Sequence, residues 1–118
     1  MQLIKREQLP WSQIAQELVG AEHGLDITLI FVDAEPRRAV ATHRHPYDEV
    51  FIVLEGEATF TVNGVEQQAH AGDVLVAKAS EPHSFANSGT GRLRQIDIHL
   101  SPTFSTEWLA EPGTARKP

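Results

Sequence analysis

The chain has 118 residues, of which 41% are hydrophobic and 22% charged. That is ordinary globular composition and room for one core rather than two. It contains no cysteine, which excludes a disulfide scaffold, a thiolate zinc knuckle and a cysteine nucleophile. Ten basic against 16 acidic residues give a net charge of −6. This argues against a nucleic-acid backbone or an anionic membrane as the main partner, while a local cation could still hold a small anion.

The opening Met1-Gln2-Leu3-Ile4-Lys5-Arg6-Glu7 turns charged too early for a secretory leader. No apolar run approaches the roughly 18 residues that span a bilayer, so a cytoplasmic setting is expected. Residues 11–19 place Ile14 and Leu18 four apart, a spacing that predicts a short helix. Residues 25–32 are rich in apolar and β-branched groups and predict a strand. Residues 50–54 form a second, stopped by Glu55-Gly56, and 58–62 alternate with period two. Asn63-Gly64 suits a two-residue hairpin, because both central residues of a type I′ turn need positive φ. Strands at 74–77 and 93–100 follow, separated by turn residues. On the last strand Ile96, Ile98 and Leu100 are the expected core face, with His99 pointing outward. The opposite register would turn Gln95, Asp97 and His99 into the cavity. Ser101-Pro102 predicts a helix start, and 112–118 a frayed tail. Short strands with frequent turns predict an all-β sandwich or barrel, one domain over 1–118 with its core at about 25–100. Segments 1–24 and 101–118 would flank it as covers.

His43, His45 and Glu49 stand within seven residues. Residues two apart on a strand share a face, so His43 and His45 can aim at one point, and Glu49 can reach it from the next strand. Two imidazoles and a carboxylate suit a divalent first-row metal. His83, after the strand at 74–77, is a fourth candidate if a barrel closes. The alternative is exposed loop histidines and a solvated glutamate. His23, His70 and Asp48 read as surface residues, and Asn87 as a turn residue bonded to backbone. No Gly-x-Ser-x-Gly elbow supports a hydrolytic triad.

These residues resemble the motifs of the cupins, a superfamily of small β-barrels. The first motif, Gly-x5-His-x-His-x3-4-Glu-x6-Gly, is matched by His43, His45, Glu49 and Gly56, with Arg37 where its opening glycine falls. The second, Gly-x5-Pro-x-Gly-x2-His-x3-Asn, is matched by Gly72, His83 and Asn87, with Lys78 for the proline and Ser80 for the glycine. The resemblance implies a jelly-roll, or double-stranded β-helix, barrel. It implies metal ligands His43, His45, Glu49 and His83 around iron, manganese, nickel, cobalt or zinc. Strand parity from Glu49 and His83 puts Phe51, Val53 and Phe85 in the pocket wall. Small cupins include dioxygenases, isomerases, lyases and binding modules. The expectation is a metal-dependent enzyme acting on a small oxygenated molecule; the alternative is a non-catalytic binding or sensing module. A homodimer is expected, with Trp11, Phe104 and Trp108 as apolar groups outside the barrel strands.

Overall fold

Apolar runs too short for helices, each closed by a turn residue, leave hydrogen bonding between strands as the way to satisfy the backbone. The computed structural model describes residues 1–110, so the tail expected at 112–118 lies outside the described residues. The strands are β1 (Trp11–Ser12), β2 (Ala15–Leu18), β3 (Thr28–Ala34), β4 (Ala39–Arg44), β5 (Glu49–Glu55), β6 (Glu57–Val62), β7 (Val65–His70), β8 (Val74–Ala77), β9 (His83–Asn87), β10 (Leu93–His99) and β11 (Glu107–Trp108). They form two antiparallel sheets, in the orders β1-β2-β3-β10-β5-β8 and β11-β4-β9-β6-β7. This is the jelly-roll, double-stranded β-helix barrel. Its core is packed by Phe51, Phe60, Phe85, Val53 and Leu93; the Phe51 and Phe60 ring centroids are 4.9 Å apart.

Local turn chemistry matches the sequence. Asn63 and Gly64 have φ of 50° and 78°, the positive pair that a type I′ hairpin between β6 and β7 needs. Gly56, with φ of 87°, turns β5 into β6. A Cβ there would run into the Arg92 carbonyl oxygen, so both conformation and space require glycine. Arg37 and Ser80, which stand where the resemblance has glycine, keep left-handed φ values of 74° and 69°. The backbone path of both motifs is therefore retained without the residue that adopts it most easily.

Three expectations are corrected. Residues 11–19 are not helical. Ala15–Leu18 pair with β3 in the register Ala15↔Val32, Gln16↔Phe31, Glu17↔Ile30 and Leu18↔Leu29. Both faces of this strand are covered at Ala15, Gln16 and Leu18, and Gln16 Nε2 donates to the Arg6 and Leu9 carbonyls. Burial on both faces hides the period of two and leaves a spacing that imitates a helix. The helical turns near this end are short 3-10 pieces at Arg6–Gln8 and Gly20–His23.

Ser101-Pro102 does not start a helix either. Ser101 Oγ donates to the Thr103 carbonyl at 2.7 Å, closing a local bend, and the chain runs on to pair β11 with β4. The unpaired edge of β4 outweighs a cap signal. On β10 the buried residues are Leu93, Gln95, Asp97 and His99, whereas Ile96 and Ile98 face outward. The register is the opposite of the expected one, because the outer face of this sheet is itself apolar.

Candidate metal centre

Four strand ends converge at one mouth of the barrel. His43 on β4 sits directly opposite His83 on β9. A shift in register between Val40 and His43 lets Val40 line the cavity alongside His43, which strict alternation over three residues would forbid. Glu49 opens β5 and lies between His99 of β10 and Ala77 of β8. The loops are tied together: Ser80 N–H donates to the His45 carbonyl at 2.7 Å. Asp48 accepts from Ala79 N–H at 2.8 Å and pairs with Lys78 Nζ at 2.9 Å. Asp48, expected to be a plain surface acid, anchors the loop that delivers His83. Lys78 donates its own N–H to Glu81 Oε1, a bond that a proline there could not make.

His43, His45, Glu49 and His83 are all buried, and their donor atoms lie within 4.8 Å of one another. Each of the three imidazoles gives its Nδ1 to a main-chain carbonyl: His43 to Ala41 at 2.7 Å, His45 to Ser105 at 2.9 Å and His83 to Glu81 at 2.8 Å. A carbonyl only accepts, so each Nδ1 carries the proton and each neutral ring turns a bare Nε2 lone pair inward. The Nε2 atoms of His45 and His83 then stand 3.2 Å from Glu49 Oε1. Acceptor faces acceptor there, and His45 Nε2 is buried without a hydrogen-bond partner. Only a positive charge between them resolves the arrangement. A divalent cation fits the donor set, and the Nδ1 bonds are the outer contacts that orient such ligands.

His99 differs. Its Nδ1 lies 2.7 Å from Tyr47 Oη, a hydroxyl that can donate, and Ser105 N–H in turn donates to Tyr47 Oη at 3.4 Å. Its Nε2 is 3.1 Å from Glu49 Oε2. With Tyr47 donating, His99 presents Nε2–H to the carboxylate and holds the oxygen that the other rings do not face.

The electrostatics follow from burial and these contacts. Burial is the main reason His43 titrates low, at about 4, with His83 and His45 adding to it against the Ala41 bond. Burial opposes ionisation of Glu49, but without an ion the positive character comes from hydrogen bonds donated by the His45, His83 and His99 rings, which outweigh burial and hold its carboxyl well below the ordinary range. Burial would lower His83 too, yet Glu49 and the Glu81 carbonyl raise it. Asp97 is pushed well above the ordinary carboxyl value, first by burial and then by the Glu49 charge.

The donors open onto a cavity of about 270 Å³. Its apolar wall includes Phe51, Phe85, Val40 and Ile30, with Phe104 and Trp108 at the mouth. Phe51 and Phe85 are therefore where strand parity puts them. Val53 also points inward but is buried in the core and is not among the lining residues. Glu17, Asp97 and His99 supply polar lining, and among the described residues no lysine or arginine lines the cavity. His70 is exposed. Asn87 is buried and bonds main chain, donating to Ala34 and Gly91. Sequence reasoning missed Tyr47 and Glu17 and set His99 and Asp97 facing outward. The signal that could have found the last two was polar residues at every second position of β10.

Comparison with known proteins places these features in context. Residues 30–99 match the family model for the cupin domain. Over 79 residues the chain is 33% identical to the HTH-type transcriptional regulator PuuR of Escherichia coli, covering 66% of this chain and 43% of that one. It is 36% identical over 64 residues to an oxalate-binding protein of Thermotoga maritima, covering 53% of each. The chain thus spans about half or less of these relatives. A double-stranded β-helix protein of Klebsiella pneumoniae superposes with TM-score 0.76 at 21% identity, over 94% of this chain and 99% of that one. Bacillus subtilis oxalate decarboxylase, a protein with Mn(II) centres, superposes with TM-score 0.74 at 24% identity, over 87% of this chain and 30% of that one.

Proposed function

Because this chain belongs to the cupin domain family, we propose that it is a metal-dependent enzyme acting on a small oxygenated organic molecule. His43, His45, Glu49 and His83 would hold a divalent transition ion. The observation that carries this reading is the convergence of three fixed Nε2 lone pairs and one carboxylate oxygen on a single buried point. When bound, the ion would supply Lewis-acid activation of a ligand oxygen or, if redox-active, a site for oxidative chemistry.

The chain's own groups define what can enter. Phe51, Phe85 and Ile30 exclude water from the inner wall. Asp97, whose carboxyl burial and the Glu49 charge raise above the ordinary value, accepts from Gln95 Nε2 at 2.8 Å and adds a polar group to the wall. With no lysine or arginine in the lining among the described residues, a ligand carboxylate would be neutralised at the His43–His45–Glu49–His83 cluster itself. Reactions that need one oxygen donor at that point fit this wall: an isomerisation, a lyase step or a dioxygenation. The oxalate-binding relative supports a small oxygen-rich ligand.

A second reading, a ligand-sensing module without turnover, is favoured by the regulator relative, of which this chain spans 43%. Metal analysis of the purified protein, then turnover and oxygen-consumption assays with small hydroxy and keto acids, separates the two. About one ion per chain with turnover is the expected result. Saturable binding without turnover would select the sensing reading, and absence of metal binding would overturn both.

A further inference from the structure

The cavity extends well beyond the four donors, and strand register lays out its wall in rows. One row crosses the six-stranded sheet as Thr28, His99 and Glu49. The next runs Glu17, Ile30, Asp97 and Phe51. Residues directly opposite on neighbouring strands share a face, so Glu17 turns into the barrel with the other three, and all four line the cavity. Glu17 stands on β2, three strands from Glu49 on β5. That is about 14 Å between backbones at about 4.8 Å per strand. The two carboxylates therefore serve different ends of one cavity.

The acids at the β2 end lack the partner that their burial calls for. Burial raises the Glu17 carboxyl, and among the described residues only the charge of His99 acts the other way, with no hydrogen bond to help it. Asp97 is 4% exposed. One of its carboxyl oxygens accepts from Gln95 Nε2 at 2.8 Å, and the other has no hydrogen bond among the described residues. A buried acceptor left open in this way calls for a donor. The wall around the pair is apolar and aromatic, with Ile14, Ile30, Phe104 and Trp108. Aromatic rings attract cations through their faces, and a chain of net charge −6 draws cations toward its surface.

We propose that Glu17, with Asp97 beside it, receives an ammonium group of the ligand, whose oxygen end meets the His43–His45–Glu49–His83 cluster. The oxygen end rests on the metal-centre reading given above; the ammonium end rests on Glu17 and Asp97. The ligand class is then an ω-amino acid or a similar compound with an oxygen donor at one end and an amine at the other. Charge decides against a diacid, which would set its second carboxylate against Glu17. An N–H donor that carries a positive charge makes the stronger bond to a carboxylate than a neutral hydroxyl does. Size agrees. At roughly 30 Å³ per water-sized group, a cavity of about 270 Å³ admits roughly nine non-hydrogen atoms. A five-carbon amino acid has about eight, and at about 1.2 Å per bond of extended chain it sets nitrogen and oxygen about 7 Å apart. That span fits between two glutamate side chains that reach inward from backbones about 14 Å apart.

The test is calorimetric titration of the Co(II)-loaded protein at neutral pH with four five-carbon probes: δ-aminovalerate, δ-hydroxyvalerate, valerate and glutarate. The visible spectrum of Co(II) reports arrival of the carboxylate at the cluster. δ-Aminovalerate is expected to bind at least about tenfold more tightly than each of the others, as a charge-assisted bond implies. Glu17→Gln should remove that advantage while keeping the parent's Co(II) content and its spectral response to valerate. Glu17→Lys should invert the order in favour of glutarate. Valerate reads the oxygen end alone, so the two readings fail separately. A Co(II) spectrum that responds to valerate, with no gain from the amine, overturns this inference and leaves the metal centre standing. A protein that binds no Co(II) overturns both. δ-Hydroxyvalerate binding as tightly as the amine, or an advantage of the amine that survives Glu17→Gln, also overturns the assignment.

Discussion

Tyr47 and His99, 52 residues apart, meet at 2.7 Å from hydroxyl oxygen to Nδ1. This contact sets His99 apart from the three imidazoles bonded to carbonyls. It makes His99 a positioning residue for Glu49 rather than one of the ring donors. His99→Ala is expected to weaken divalent-metal binding about 10- to 100-fold. His99→Gln, whose amide N–H can still reach the carboxylate, should recover much of that loss. Titration with Co(II), followed by its visible spectrum, reads both affinity and ligand field. An unchanged affinity and spectrum in His99→Ala would refute the role.

His83 tests whether closure of the barrel completes the donor set. It lies 34 residues beyond Glu49 yet pairs across β4 with His43. His83→Ala should fold but hold metal about 100-fold more weakly, because one inward lone pair is lost. His70→Ala should bind as the parent does, since His70 is exposed and touches Asp73. Metal content after dialysis measures both, and a reversed outcome would displace the proposed centre.

Left-handed backbone at non-glycine residues costs roughly 1–2 kcal/mol. Arg37 and Ser80 sit at φ of 74° and 69°. Ser80→Gly and Arg37→Gly are each expected to stabilise the fold by about 0.5–1 kcal/mol after the extra flexibility of the unfolded chain is subtracted. The Ser80 N–H bond to His45 survives the change. Urea unfolding of the metal-free protein measures the gain; a loss in either variant would show that the side chain does more than fill the position. Gly56→Ala should destabilise, because its Cβ meets the Arg92 carbonyl.

Two buried groups set the pH dependence of the metal-free protein. His43 titrates at about 4 when folded against 6.5 when unfolded. The unfolded chain therefore binds the extra proton first, and this group removes stability as pH falls from 6.5 toward 4. Asp97 has its folded value raised above 3.8. Its contribution is present below 3.8 and is lost as pH rises through the raised value. Asp97→Asn should therefore melt higher than the parent at pH 7, with the gap closing toward pH 4, while His43 acts equally on both. A constant gap across that range would contradict a raised Asp97.

The legible parts of the chain were those whose meaning is local. His43, His45 and Glu49 announce themselves by spacing, and Asn63-Gly64 by the φ values it permits. Phe51 and Phe85 followed from parity once Glu49 and His83 were set inward. What escaped depended on distant neighbours. Ile96 and Ile98 looked like core because apolar residues usually are, and the apolar outer face of the sheet is invisible to a window of eight residues. Residues 15–18 imitated a helix because residues 6–9 cover their outer side. Val40 and His43 share a wall only through an irregularity in pairing with β9.

The bond from His45 to the Ser105 carbonyl spans 60 residues, and this imposes an order on assembly. His43, His45 and Glu49 lie on one short stretch that crosses from β4 in one sheet to β5 in the other, whereas the ring of His45 is locked only after residues 104–108 dock on β4. Non-local closures of this kind are slow to form, because loop-closure entropy is lost before the contact is gained. A nascent chain still lacking that segment would offer an ion a cluster in which His45 is free to turn. Selectivity for the ion would thus be acquired only once β11 has docked on β4.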